Sequence, residues 1–278
     1  MTEKNIELVR ELLAVGAAQA DMRQTDIDGK PFVVMPNNYV VQAIDHLNAN
    51  PVRKTGVVAT TETSSFIEYV NRHSISDESV IYAEIDNEAS KFNLVAVIND
   101  HSGIDPHWQD FRCTFAPKIA VEWDRWKGKD RLKMSQADFA SWLEDNLGDI
   151  ATVEGMPTAA EMMQMALGFE ANSEKRLRSK INLQTGGVRF EFAEDEDKDT
   201  RSSMQVFERF TLGLPVFEAS TSAYPLEARL KYREDKGSLT FWYELIRTDR
   251  IFRQAVTEEM QNIRTATALP IIAGRVCK

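Results

Sequence analysis

Cysteine is nearly absent. Cys113 and Cys277 are the two in 278 residues, and they form neither a metal-ligand spacing nor a disulfide framework. They leave room for one disulfide at most, and a reducing cytoplasm is the expected setting. Long apolar runs are missing too: no stretch of about 18 such residues exists, so no membrane span is expected. The first thirteen residues are interrupted by Glu3, Lys4, Glu7, Arg10 and Glu11. Without a continuous apolar core they do not read as a secretory signal. No Gly-x-x-x-x-Gly-Lys-Ser/Thr loop and no Gly-x-Gly-x-x-Gly after a strand is present. A Gly-x-Ser-x-Gly nucleophile elbow is lacking as well. Low-complexity tracts, close internal repeats and long flexible linkers are also absent. Positive charge is in deficit, with Lys+Arg 33 against Asp+Glu 43 and a net charge of −10. A surface of that sign repels phosphate backbones at long range, which argues against a general nucleic-acid binder but leaves room for a local basic patch.

What is present is ordinary globular material. Hydrophobic residues make up 43% and charged residues 27%, enough to bury a core without disulfides. The most legible stretch is 223–263. Leu226, Ala228, Leu230 and Tyr232 alternate with Glu227, Arg229, Lys231 and Arg233. After Glu234-Asp235-Lys236-Gly237, Leu239, Phe241, Tyr243 and Leu245 alternate with Thr240, Trp242, Glu244 and Ile246. Period two predicts an antiparallel hairpin with one apolar face. Phe252, Val256, Met260 and Ile263 then follow a helical stripe that can pack on it.

Earlier in the chain, residues 5–16 predict a short amphipathic helix with Ile6, Val9, Leu12 and Leu13 inward. Strands are expected at 32–35 and 56–60, with a helix after Thr61 or Thr63; 39–47 reads as a helix, for which Val40, Ile44 and Leu47 are suitably spaced, or as an extended edge. Residues 80–86 and 92–99 predict a hairpin, and 108–117 a third strand. Ser135 with Asp138, and Thr158 with Glu161, read as helix N-termini. From 175 to 246 the pattern predicts a five-strand antiparallel meander, with Gly186-Gly187 as a hairpin turn, an acidic loop over 194–199 and one continuous strand over 204–214. The expected class is α+β, with antiparallel sheets and segregated helices. Gly148, Gly155 and Pro157 suggest a boundary near 150–157. That would give an α+β region at 1–150 and a sheet region with a terminal helix at 151–278, unless the chain forms one continuous domain.

Three constellations have chemical interest. The segment 100–110 holds His101, Asp105, His107 and Asp110. Imidazoles and carboxylates in one loop suit a divalent ion, though the spacing matches no established ligand motif and a hydrogen-bonded loop is the plainer reading. Trp123, Arg125, Trp126 and Lys127 mix rings with cations, as single-stranded nucleic-acid binders do; tryptophans three apart equally suit one buried helical face. Trp242 and Ile246 share the outward face of the hairpin, so a helix or another subunit is expected to cover them. Cys113 alternates with Phe111 and Phe115 and reads as core.

Two sets of residues carry a family resemblance. The first runs from Trp108-Gln109-Asp110-Phe111-Arg112 through Glu122-Trp123 and Trp126 to Met134-Ser135-Gln136-Ala137-Asp138-Phe139-Ala140 and Glu144-Asp145-Asn146. The second is Phe210-Thr211-Leu212-Gly213-Leu214-Pro215-Val216-Phe217-Glu218, with Ala228 to Arg233 and Trp242-Tyr243-Glu244-Leu245. In these the chain resembles the YfdQ-like proteins of tailed phages and cryptic prophages, a domain-of-unknown-function family. The resemblance implies a phage or prophage product in the cytoplasm of a bacterial host and carries over no catalytic residues. The expected function is that of a non-enzymatic accessory protein that assembles with itself, as a ring or shell if large, with a host or phage protein as a further partner. No cofactor is expected. The alternatives are a single-stranded nucleic-acid-binding accessory and a metal-dependent hydrolase.

Overall fold

The computed structural model describes residues 7, 10–12, 14–16, 23–27, 30–34, 49–51 and 53–276, except 88, 171–176, 182–186, 193–202 and 236–237. The chain divides into two compact units, Met1–Lys54 and Thr55–Lys278. In the first, residues 7, 10–12 and 14–16 are helical. Leu12, expected inward, is 63% exposed. Strand β1 (Arg23–Ile27) pairs antiparallel with β2 (Lys30–Val34), so the expected strand at 32–35 has a hairpin partner that periodicity did not reveal. The helix expected over 39–47 lies outside the described residues.

The second unit begins with β3 (Gly56–Thr60), followed by α1 (Thr63–His73). Phe66 and Val70, one helical turn apart, form the buried stripe of α1. Next come β4 (Val80–Asp86), β5 (Lys91–Val97) and β6 (Phe111–Phe115). In β6 Phe111, Cys113 and Phe115 are buried while Arg112 and Thr114 are partly exposed, the alternation that a one-sided sheet requires. These strands form a sheet of order β14-β4-β5-β6-β3, closed at one edge by β14 (Ile271–Ala273). β14 pairs parallel with β4 and β3 pairs parallel with β6, so this sheet is mixed.

Helix α2 (Val121–Gly128), the short β7 (Met134–Ser135), α3 (Gln136–Asp145) and α4 (Ala159–Glu170) follow. Ser135 Oγ accepts from the Asp138 N–H at 3.2 Å. At the start of α4 the Thr158 N–H donates to Glu161 at 2.8 Å, and Thr158 Oγ1 accepts from the Glu161 N–H at 3.3 Å. Both helix starts are therefore capped as their sequences require.

The C-terminal strands are β8 (Leu177–Ile181), β9 (Gly187–Phe192), β10 (Ser203–Phe207), β11 (Arg209–Leu214), β12 (Tyr224–Asp235) and β13 (Ser238–Leu245). All neighbours are antiparallel, but they do not form one meander. The strand expected over 204–214 is interrupted at Glu208. β10-β9-β8 make one sheet, and β11-β12-β13-β7 make another. The Glu208 carbonyl accepts from the Leu230 N–H at 2.9 Å, which ends the β11–β12 ladder where the chain leaves for β10. Gly186, Lys236, Gly237 and the acidic segment 194–199 lie outside the described residues.

Helix α5 (Thr248–Thr267) buries Phe252, Ala255, Val256 and Ile263. It joins the two larger sheets into one core: Phe217 lies 6.0 Å from Phe92 of β5 and 6.0 Å from Phe252 of α5, ring centre to ring centre. The chain crosses 150 inside this unit, with Ile150 bridged to Leu212 and the Ala151 N–H donating to Thr211. The architecture is α+β. Among the described residues no helix is long and apolar enough to cross a membrane.

Candidate functional site

The β5–β6 connection, 98–110, is held by a polar network with Asp100 at its hub. Asp100 is 4% exposed. Tyr82 Oη donates to its Oδ2 at 2.6 Å, while the His101 N–H, at 2.8 Å, and the Gln109 amide donate to its Oδ1. The Asp100 N–H donates to the Glu78 carbonyl at 3.0 Å. His107 Nδ1 lies 2.6 Å from the Asp100 carbonyl and so carries a proton that it donates there. The His107 N–H donates to His101 Nδ1 at 2.9 Å. Gln109, at φ 51°, holds a left-handed backbone that costs a non-glycine residue about 1 kcal/mol. Its side chain on Asp100 and its carbonyl, which accepts from Arg112, keep it there.

Burial pushes the Asp100 carboxyl up, but the bonds from Tyr82, Gln109 and the His101 N–H outweigh it and hold the carboxyl below its ordinary value. Tyr82 is pushed up to about 12 by its bond to Asp100, by burial and by the Asp100 charge. The network therefore holds a carboxylate that is already saturated with donors. Among the described residues, no three His, Cys, Asp or Glu side chains converge as metal ligands. His101 and His107 are tied to each other and to backbone, while Asp105 sits in an exposed bridge with Ser102. Asp110 accepts from the Asn99 amide at 3.0 Å.

Beside the exposed His101 and Asp105, the loop presents two large apolar side chains outward. Ile104 is 97% exposed and Trp108 78%. The loop ends beside β3, where the Gly56 N–H donates to the Asp110 carbonyl at 2.9 Å. On β3, Val57 is 61% and Val58 38% exposed. Among the described residues β3 pairs with β6 on one side only and has no strand partner on its other edge.

The tryptophans of α2 are core. Trp126 is 0% and Trp123 2% exposed. The Trp126 ring lies 5.1 Å from Tyr243 and 5.4 Å from Trp142, and its Nε1–H donates to Asp149 at 2.7 Å. Rings covered on this scale offer no face to a base, which corrects the expectation of a stacking platform at Trp123, Arg125, Trp126 and Lys127. Arg125 donates to Asn146 and Lys127 to Ser90. Cys113 is buried, as its alternation requires, and burial pushes its thiol up to about 11, far from a reactive thiolate.

Trp242 faces away from that core on β13. It is half-buried, and so is Ile246. Its neighbours are charged rather than apolar: Lys231 stands opposite it on β12, and Lys133 Nζ lies 5.6 Å from its ring centre. Trp242 and Ile246 thus share an outward face that is otherwise polar, as the alternation of both strands requires. The exposed Ile104 escaped sequence reasoning because a turn with no periodicity does not tell which side chains point out, and Trp108 because the pattern places it in a strand that begins only at Phe111.

No curated protein and no solved structure matches the chain. A family model described as uncharacterised conserved protein (DUF2303) matches residues 2–276, and the chain belongs to that family.

Proposed function

We propose that this is a non-enzymatic accessory protein of a phage or prophage, acting in the bacterial cytoplasm by assembling with itself. The carrying observation is that, among the described residues, no strand pairs with the outer edge of β3. Gly56-Val57-Val58-Ala59-Thr60 contains no charge and no proline, the devices that usually keep an edge strand from pairing with another chain. Beside it the loop holds Ile104 and Trp108 out to solvent on a rigid polar frame. An exposed tryptophan on a preorganised loop is the kind of anchor that dominates interfaces. Pairing of β3 with β3 of a second copy makes a twofold, self-complementary contact. The saturated Asp100 network supports a structural task for the 98–110 loop. The phage setting rests on the resemblance of the two sequence signatures.

Light scattering on the purified full chain over a range of concentrations tests this. An oligomer is expected, and the double substitution Ile104→Ser with Trp108→Ala should shift it to monomer without loss of circular dichroism. A wild-type chain that stays monomeric at all concentrations removes the proposal.

A further inference from the structure

The sheet β11-β12-β13-β7 turns one face to the core and the other outward. On β12, Ala228 and Leu230 are buried, whereas Arg229, Lys231 and Arg233 are exposed. The register extends this outward set across the sheet. Arg209 of β11 stands opposite Arg229, and Lys231 stands opposite Trp242. Lys133, just before β7, reaches over the Trp242 ring from the other side. Trp242 is thus flanked by lysines on both sides, with Arg229 and Arg233 on either side of Lys231 along β12; Arg229 stands opposite Glu244, and Arg233 opposite Thr240.

This arrangement costs stability. Like charges directly opposite one another destabilise a sheet, as with Arg209 and Arg229. Glu227 relieves Arg209 at 3.4 Å, but among the described residues no ion pair involves Arg229, Lys231 or Arg233. Five cations against Glu227 and Glu244 leave this face with a positive excess in a chain of net charge −10. With charges screened over about 10 Å at ordinary salt, the local patch governs contact once a ligand arrives.

The same face has a recess. A cleft of about 360 Å³ is lined by Glu208, Arg209, Arg229, Leu230, Lys231 and Tyr232, a volume at the lower end of small-ligand sites. It lies where β11 begins and β12 runs on: the β11–β12 ladder stops at Arg209 and Arg229, leaving the β11 side of Lys231–Asp235 without a strand partner in this sheet. Side chains two apart on β12 are about 6.8 Å apart, a step close to that of successive phosphates in an extended single strand.

We propose that this outward face binds single-stranded nucleic acid, with phosphates on Arg229, Lys231 and Arg233 and a base against Trp242. An open sheet bearing an aromatic ring between cations is suited to unstacked bases. A duplex keeps its bases stacked inside and cannot use Trp242. The inference stands independently of self-assembly, since it uses none of Val57, Ile104 or Trp108.

The test is fluorescence anisotropy of a labelled oligothymidylate of about 20 residues, with the full chain, at about 50 and about 200 mM salt. Three to four phosphate contacts predict affinity roughly 20- to 50-fold lower at the higher salt. Trp242→Ala should weaken binding about tenfold with the salt slope kept, and Trp242→Phe should restore most of it. Lys231→Ala should reduce the slope by about 0.7. Lys118→Ala, on an exposed residue paired with Glu218 elsewhere in the unit, should change nothing. Absence of binding at low salt overturns the proposal. So does equal affinity for a duplex of the same length, or loss on Lys118→Ala equal to that on Lys231→Ala; either marks general attraction of polyanions. Light scattering on the same variants should show unchanged native mass, so the two proposals fail separately.

Discussion

Asp100 is a buried carboxylate that stays charged because three donors surround it. Replacing it by Ala strands those donors and should cost roughly 2–4 kcal/mol in urea unfolding near neutral pH. The pH dependence follows from the directions of the shifts. The Asp100 carboxyl is held below its ordinary 3.8, so its contribution is present above that value and is lost as pH falls through the depressed one. Tyr82 is raised from 10.0 to about 12, so its contribution is present below pH 10.0 and is lost as pH rises through about 12. The stability gap between wild type and Asp100→Asn should therefore narrow in acid; a gap that is constant with pH would contradict this. Trp126 makes the opposite kind of contribution, through packing. Trp126→Ala should cost about 3–5 kcal/mol in thermal or urea unfolding, because the indole is fully buried against Tyr243, Trp142 and Phe210. The histidines drew attention in the sequence because they share one loop with carboxylates. The hub between them did not, because an aspartate before a histidine looks like any turn residue until Tyr82 is folded over it.

Elements with strong local signals formed where their residues indicated. Ser135 caps α3, Thr158 and Glu161 cap α4, and the stripe of Phe252, Val256 and Ile263 is the buried face of α5. Ser135→Ala should cost about 1 kcal/mol, measurable as a lower urea midpoint, since it removes the acceptor for the Asp138 N–H. The hairpin of β12 and β13 pairs in the alternation that the sequence displays, Leu230 with Tyr243 and Tyr232 with Phe241. The strand over 204–214 looked continuous because its period survives the break. Glu208 ends one ladder and the chain passes to a second sheet, a choice made by strand partners far away in sequence. β14 was equally illegible: three residues carry no periodic signal, and their strand conformation depends on pairing with β4.

At the scale of the molecule, two surfaces stand out. One is the uncharged β3 edge with Ile104 and Trp108 beside it, for which loss of the oligomer on the double substitution is the expected outcome. The other is the cationic outward face around Trp242, for which salt-dependent binding of single strands is expected. The net charge of −10 made the second surface unexpected. An average over the chain conceals a patch that forms only when β7, β11, β12 and β13 come together. The two kinds of tryptophan exchanged expectations for the same reason. Trp123 and Trp126 sit among cations in sequence but inside the core in space. Trp242 sits among apolar residues in sequence but between lysines in space.

The sequence alone determined the α+β class, the starts of α3 and α4, the core faces of β6, β12, β13 and α5, and the burial of Cys113. Those depend on the neighbours within a turn of helix or along one strand, and periodicity and capping chemistry report them directly. The tertiary structure decided which strands share a sheet, that the outer edge of β3 has no strand partner among the described residues, that Asp100 is the centre of its loop, and that Lys133 and Lys231 flank one ring. Each of these joins residues distant along the chain, and local pattern carries no information about such pairings before the sheets assemble.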